Sequence, residues 1–124
     1  MTALEVFAAY GAQPGEQALQ PHVLHHAKRA VVDWYAALFP GAVEAPATLL
    51  ERAYAEDLGH GRARLALGQL ATSRTAALIN GTAAHTVEVD DIFKDAIYHP
   101  GAPTIAAALA AAQETSASGL AFLQ

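Results

Sequence analysis

Apolar residues recur at helical spacing through most of the 124-residue chain. Thr2 and Glu5 make a capping-box pair ahead of a short amphipathic segment that ends near Gly11. Gly11 to Gln20 reads as a polar loop. Pro21 suits the first turn of a helix running to about Phe39, where Val23, Leu24, Ala27, Val31, Trp34 and Leu38 share one face. Pro40-Gly41 is the expected stop. A second helix is predicted over Pro46 to Asp57, with Leu49, Leu50 and Tyr54 apolar and Gly59 ending it. Arg62 to Leu67 alternate weakly, in the manner of a short strand. Thr72 or Ser73 caps a third helix from Arg74 to about Val87, through Ala76, Ala77, Ile79 and Ala83. Gly81 within it costs about 1 kcal/mol relative to alanine, which points to close helix packing or a bend.

Pro103 opens a further helix, PTIAAALAAAQE, apolar on every side before Gln113. Such a helix belongs at the centre of a bundle, and four or five short helices do not enclose it. Ser118 is a good N-cap for Gly119-Leu120-Ala121-Phe122-Leu123, a pattern that begins just before Gln124; one turn is not stable alone. The expected fold is therefore all-α: one domain over 1–124, forming part of a larger helical bundle. No repeat of 20 to 50 residues is present, so a solenoid is not indicated.

Hydrophobic residues make up 53% and charged residues 15%, so the chain has the means to build a core. Seven Lys+Arg against twelve Asp+Glu give a net charge of −5. No basic cluster exceeds Lys28-Arg29, which argues against a nucleic-acid partner. With no cysteine, disulfides, thiolate catalysis and Cys-ligated metal centres are excluded. The N-terminus lacks a basic region and carries Glu5, so it is not a signal peptide. The most apolar run, Ile105 to Ala112, is too short to span a bilayer. A cytoplasmic protein with no membrane partner is the expectation.

Charge is sparse except in one place. Between positions 85 and 99 stand His85, Glu88, Asp90, Asp91, Lys94, Asp95, Tyr98 and His99. Three readings compete. One is a solvated loop between helices. Another is a divalent metal site, although the spacing matches neither an EF-hand loop nor HExxH. The third is acid–base chemistry on a small carboxylic acid, since an imidazole changes protonation near neutral pH and nearby carboxylates orient it. His99 precedes Pro100-Gly101, a sequence that turns the backbone into the next helix. It then lies near a helix N-terminus, whose free N–H groups favour a carboxylate. Elsewhere, His22 and His26 are four apart on one helix face without an acidic partner and read as solvated. His60 reads as a turn residue, and Trp34 and Tyr35 as core and interface residues.

In order along the chain, Asn80-Gly81-Thr82-Ala83-Ala84-His85, then Glu88-Val89-Asp90-Asp91, then His99-Pro100-Gly101-Ala102-Pro103 resemble the signature region of the MmgE/PrpD family. That family includes 2-methylcitrate dehydratase, cis-aconitate decarboxylase and iminodisuccinate epimerase. Upstream, Pro21-x-Val23 and Ala27-Lys28-x-x-Val31-x-Asp33 resemble its early helix, and Ser118-Gly119-x-x-x-Leu123 the start of its next one. The resemblance runs from about Pro21 onward.

What it implies is a helical domain completed by a separate α/β lid, absent here, with the active site in the cleft between them and a homo-oligomeric, dimeric enzyme. The implied reaction adds or removes water, carbon dioxide or a proton beside a carboxylate, without metal or organic cofactor. By resemblance His99 is the site histidine, with Glu88, Asp90 and Asp91 as catalytic carboxylates, and Lys94 and His85 as candidates to hold the substrate. Two departures stand out. Glu88 replaces the usual aspartate, a change that displaces a carboxylate by about 1 Å and is costly to rate. Ile92 and Phe93 stand where a polar residue is common. The family's lysines and lid belong to a C-terminal part not in this chain. Four local carboxylates then face an anionic substrate with only Lys94 to offset them, so cations must come from that part or another chain. The chain is expected to be an N-terminal fragment or split half with little turnover alone; the rival is a non-catalytic helical interaction or dimerisation remnant.

Overall fold

A computed structural model describes residues 1–12 and 19–124. The described residues form six α-helices and one small hairpin: α1 (Ala3–Gly11), α2 (Pro21–Gly41), α3 (Ala45–Ala53), β1 (Leu58–Arg64), β2 (Leu70–Ala71), α4 (Ser73–Thr86), α5 (Gly101–Glu114) and α6 (Gly119–Leu123). The helical class is as the periodicity predicts. The predicted polar loop after Gly11 falls largely outside the described residues.

Local signals place three helix starts. Thr2 accepts from the Glu5 N–H while Glu5 reaches back to the Thr2 N–H, the full capping box. Thr72 caps α4 through the Thr75 N–H, and Ser118 caps α6 through the Ala121 N–H. Other ends differ from the prediction. Helix α2 runs through Pro40 to Gly41, because a proline in the last turn forfeits a single hydrogen bond and the Ala42 N–H still donates to Leu38. Helix α3 stops at Ala53, four residues early; Ala55–Asp57 tighten into a 3-10 turn, and Gly59 sits inside β1 at φ +80°. Helix α5 starts two residues before Pro103.

The weak alternation at Arg62 to Leu67 belongs to the hairpin. Antiparallel pairing sets Arg64 opposite Leu70 and Ala63 opposite Ala71. Gly61, at φ +77°, lets the strand pass the Ala71 backbone, where a Cβ would lie 2.7 Å from its oxygen. The free edge of β1 is covered by α5. The N–H of Arg62 donates to Glu114 and that of Arg64 to Gln113.

The core is built mostly from alanine, so its backbones come close. It gathers Trp34 and Leu38 from α2, Ala76, Ile79, Ala83 and Ala84 from α4, and Ala102, Ala106 and Ala110 from α5. Gly41 abuts the Ala83 backbone, whereas a Cβ at Gly81 would meet the Ala102 oxygen and the Ala106 Cβ only at ordinary contact distance, so the packing at Gly81 does not require a glycine. The buried Trp34 indole donates to the Ala102 carbonyl at 3.4 Å, tying the first turn of α5 to α2. The central position expected of α5 is not what this chain provides: one face is buried while Pro103, Thr104, Ala107, Ala108 and Ala111 are exposed.

Tyr35 stacks on Phe39, its ring centroid 5.7 Å away, and meets the Trp34 edge. Burial pushes its phenol above the ordinary value of 10.0. The folded state thus favours the neutral phenol. Its contribution is intact below pH 10.0 and is lost as pH rises through the folded-state value, because the unfolded chain ionises first. Tyr35→Phe is expected to flatten the alkaline part of a stability–pH curve from urea titrations, leaving neutral-pH stability nearly unchanged.

Candidate active site

Helix α4 ends at Thr86, and the chain turns immediately. Val87 is its C-cap, and Glu88 takes a left-handed conformation at φ 56°, uncommon for a residue with a side chain. The turn reverses the backbone so that Asp90 points back under α4, its side chain only 1% exposed. A bridge between Phe93 and Tyr98, with a 3-10 turn over Lys94–Ala96, then returns the chain to His99 and α5. Ile97 in this return is also left-handed, at φ 48°.

Three side chains converge. Asp90 Oδ2 lies 3.1 Å from His85 Nδ1, and Oδ1 3.3 Å from the same nitrogen. Asp90 Oδ1 is also 3.3 Å from His99 Nδ1. That second approach is off the hydrogen-bonding direction, so the buried His99 Nδ1 has no hydrogen-bond partner among the described residues. The two imidazole rings sit 4.6 Å apart, centre to centre, at 59°. Across the ring from Asp90, His85 Nε2 faces Glu88 Oε1 at 3.7 Å, with the Glu88 side chain 70% exposed. The buried Asp90 carboxylate thus holds one imidazole by a hydrogen bond and lies close beside the other.

These groups stand at an open groove of about 800 Å³ between α4 and the start of α5. His85, Glu88 and His99 line it, with Thr82, Thr86 and Tyr98 adding hydroxyls and Leu78, Ile97 and Pro103 apolar surface. Among the described residues, no lysine or arginine lines it. Ligand atoms of His85, Asp90 and His99 also fall within 4.8 Å of one another, a spacing compatible with a divalent ion. Spacing in the sequence hides this set, because the three donors come from a helix, a loop and a helix entry.

The remaining predicted residues are placed differently. Both oxygens of Asp91 accept from the Gly101 N–H, at 3.0 and 3.2 Å, so its carboxylate caps α5. That cap explains the early helix start, and His99 enters the site just before it. Lys94 is exposed in the 3-10 turn and does not line the groove. Asn80 serves the scaffold. Its Nδ2 donates to the Arg64 carbonyl at 2.8 Å and its Oδ1 accepts from the Ala66 N–H at 3.0 Å, which pins the hairpin to α4. The charge pattern does not disclose Thr82, Thr86 and Tyr98 as groove residues. Thr82 stands one helical turn before His85, and Thr86 one turn after Thr82, which is the available signal. His22, His25 and His26 are exposed on α2, as expected of a solvated face.

Asp91→Asn keeps an acceptor for the Gly101 N–H and is expected to preserve fold and site. Asp91→Ala is expected to cost about 1 kcal/mol and to speed hydrogen exchange at the first amides of α5 roughly fivefold. Unchanged exchange in the alanine variant would show that the cap contributes nothing.

No curated protein and no solved structure matches the chain. A family model described as the MmgE/PrpD N-terminal domain matches residues 5–124, nearly the whole length and including every residue of the groove. The acidic loop, the His99-Pro100-Gly101 entry and the helical frame that brings them together are thus explained at once: the chain belongs to the MmgE/PrpD family.

Proposed function

We propose that this chain supplies the acid–base part of a cofactor-independent lyase or isomerase site for a small di- or tricarboxylic acid, in the manner of 2-methylcitrate dehydratase. The observation that carries the reading is Asp90, buried between His85 and His99 at an open groove. His99 and Glu88 move protons, Asp90 orients, and Asp91 holds the helix entry. Thr82, Thr86 and Tyr98 offer hydrogen bonds to the substrate. Among the described residues no lysine or arginine lines the groove. Cations for an anionic substrate therefore come from the C-terminal part of such an enzyme or from another chain, and Lys94 reaches it only with a rearranged loop. Turnover by the chain alone is low.

The test is chemical-shift mapping with 2-methylcitrate and cis-aconitate at millimolar concentration. Shifts are expected at Thr82, His85, Glu88, Tyr98 and His99. Shifts confined to the exposed basic face of α2, at His25, Lys28 and Arg29, would sink the proposal.

A second reading, a helical interaction or dimerisation module without catalysis, is favoured by one feature. Among the described residues, helix α1 has none buried, and Leu4, Phe7 and Tyr10 are exposed. Carboxylate-insensitive spectra together with concentration-dependent association in sedimentation would select it.

A further inference from the structure

The geometry points to a second proton carrier: we propose that His85 is a catalytic residue working beside His99, with one carboxylate, Asp90, positioning both imidazoles. This rests on the acid–base reading of the groove. Each ring turns its Nδ1 edge to Asp90, at 3.1 Å for His85 and 3.3 Å for His99. Each also lines the groove, so the opposite edge, bearing Nε2, is the one available to a substrate. The His85 contact is a formed hydrogen bond; the His99 contact needs a small turn of the ring, and no competing partner holds His99 Nδ1 among the described residues. Contacts of this kind tighten when a substrate is bound.

Two imidazoles fit an elimination better than one. Removing water from a β-hydroxy carboxylate takes a proton from the carbon beside the carboxylate and delivers one to a hydroxyl on the next carbon. Rings 4.6 Å apart reach both positions. Neutral His85 accepts the C–H proton at Nε2, and that electron pair forms the C=C bond as the C–O bond breaks. Protonated His99 gives its Nε2 proton to the departing hydroxyl, which leaves as water. The substrate has then lost H and OH, His85 has gained a proton and His99 has lost one. Solvent restores both. His85 sheds its proton through Glu88, 3.7 Å from Nε2 and largely exposed, and His99 takes one from water. Asp90 is a positioning residue throughout: it holds the Nδ1–H form of each ring and leaves Nε2 free to work.

The experiment is a long-range proton–nitrogen spectrum of the 15N-labelled chain, with the histidines assigned from His85→Gln and His99→Gln. Neutral His85 and His99 are both expected in the Nδ1–H form, the minor one in free histidine, and Asp90→Ala is expected to return both to Nε2–H. His85 in the Nε2–H form in the unaltered chain overturns the proposal, whether or not the alanine variant folds. Deuterium entry beside the carboxylate of 2-methylcitrate, measured in the chain joined by the polypeptide that supplies its cations, is the second readout. His85→Gln is expected to slow it about 100-fold or more, and His99→Gln less than about tenfold. Equal losses in the two variants overturn the division of roles. No exchange in that assembly counts against the acid–base reading itself, while the tautomers in the chain still decide whether Asp90 positions both rings. Stoichiometric Zn²⁺ binding at micromolar concentration through both imidazoles overturns the proposal too, making the trio a metal centre.

Discussion

Gly41→Ala is expected to destabilise the fold by about 3 kcal/mol or more, the largest stability effect of any single methyl group here. A Cβ at this position would lie 2.8 Å from the Ala83 carbonyl carbon and closer still to its oxygen. Those atoms are backbone, so no side chain can turn aside and no truncation at Ala83 can make room. Relief requires α2 and α4 to separate. Separation loosens the alanine core, where small side chains already leave little contact to spare, and weakens the Trp34 bond to Ala102 in the first turn of α5. The disturbance therefore reaches His85 on α4 and His99 before α5 together. Urea unfolding followed by circular dichroism measures the loss. Gly119→Ala is the control: no described residue lies within 4 Å of a Cβ there, so it is expected to be neutral or slightly stabilising. A Gly41→Ala chain within about 1 kcal/mol of the original would mean that the helices pack with more freedom than this contact allows.

How far the sequence discloses this arrangement depends on the range of the interaction. The caps at Thr2, Thr72 and Ser118 are legible because donor and acceptor lie three residues apart. The start of α5 is not, because its cap is Asp91, ten residues back along the chain. The density of acids and histidines marks the right segment. Which acid enters the site is decided by the left-handed turn at Glu88, which no periodicity reveals. One residue's difference sends Asp90 to the imidazoles and Asp91 to the helix end. Asn80 shows the converse. It stands beside the site in sequence, yet its carboxamide is consumed by the hairpin, whose irregular register and glycines blur its alternation. The apolar character of α5 is legible too, but which face it buries is not, since alanine stands on every side.

On the proposed reading, Asp90→Asn separates site from scaffold most sharply. Asparagine has nearly the volume of aspartate, and its amide oxygen can still accept one bond, so the fold is expected to survive. The charge does not. Asp90 is buried against both rings, where water screens little, so its carboxylate acts directly on whatever charge develops there during proton transfer. The amide also offers an N–H where a second imidazole N–H approaches, so one ring must turn or change tautomer. General acid–base catalysis is worth about 10²- to 10⁴-fold in rate, and a loss in that range is expected in kcat for 2-methylcitrate dehydration, measured in the chain joined by the polypeptide that supplies its cations. KM is not expected to rise, since replacing the carboxylate removes a repulsion toward an anionic substrate. Asp91→Asn in the same assay is expected to keep most of the activity. Should the two variants fall equally, the capping carboxylate would be part of the chemistry; should Asp90→Asn keep full kcat, the buried carboxylate would be scaffold and the catalytic reading of this groove would fail.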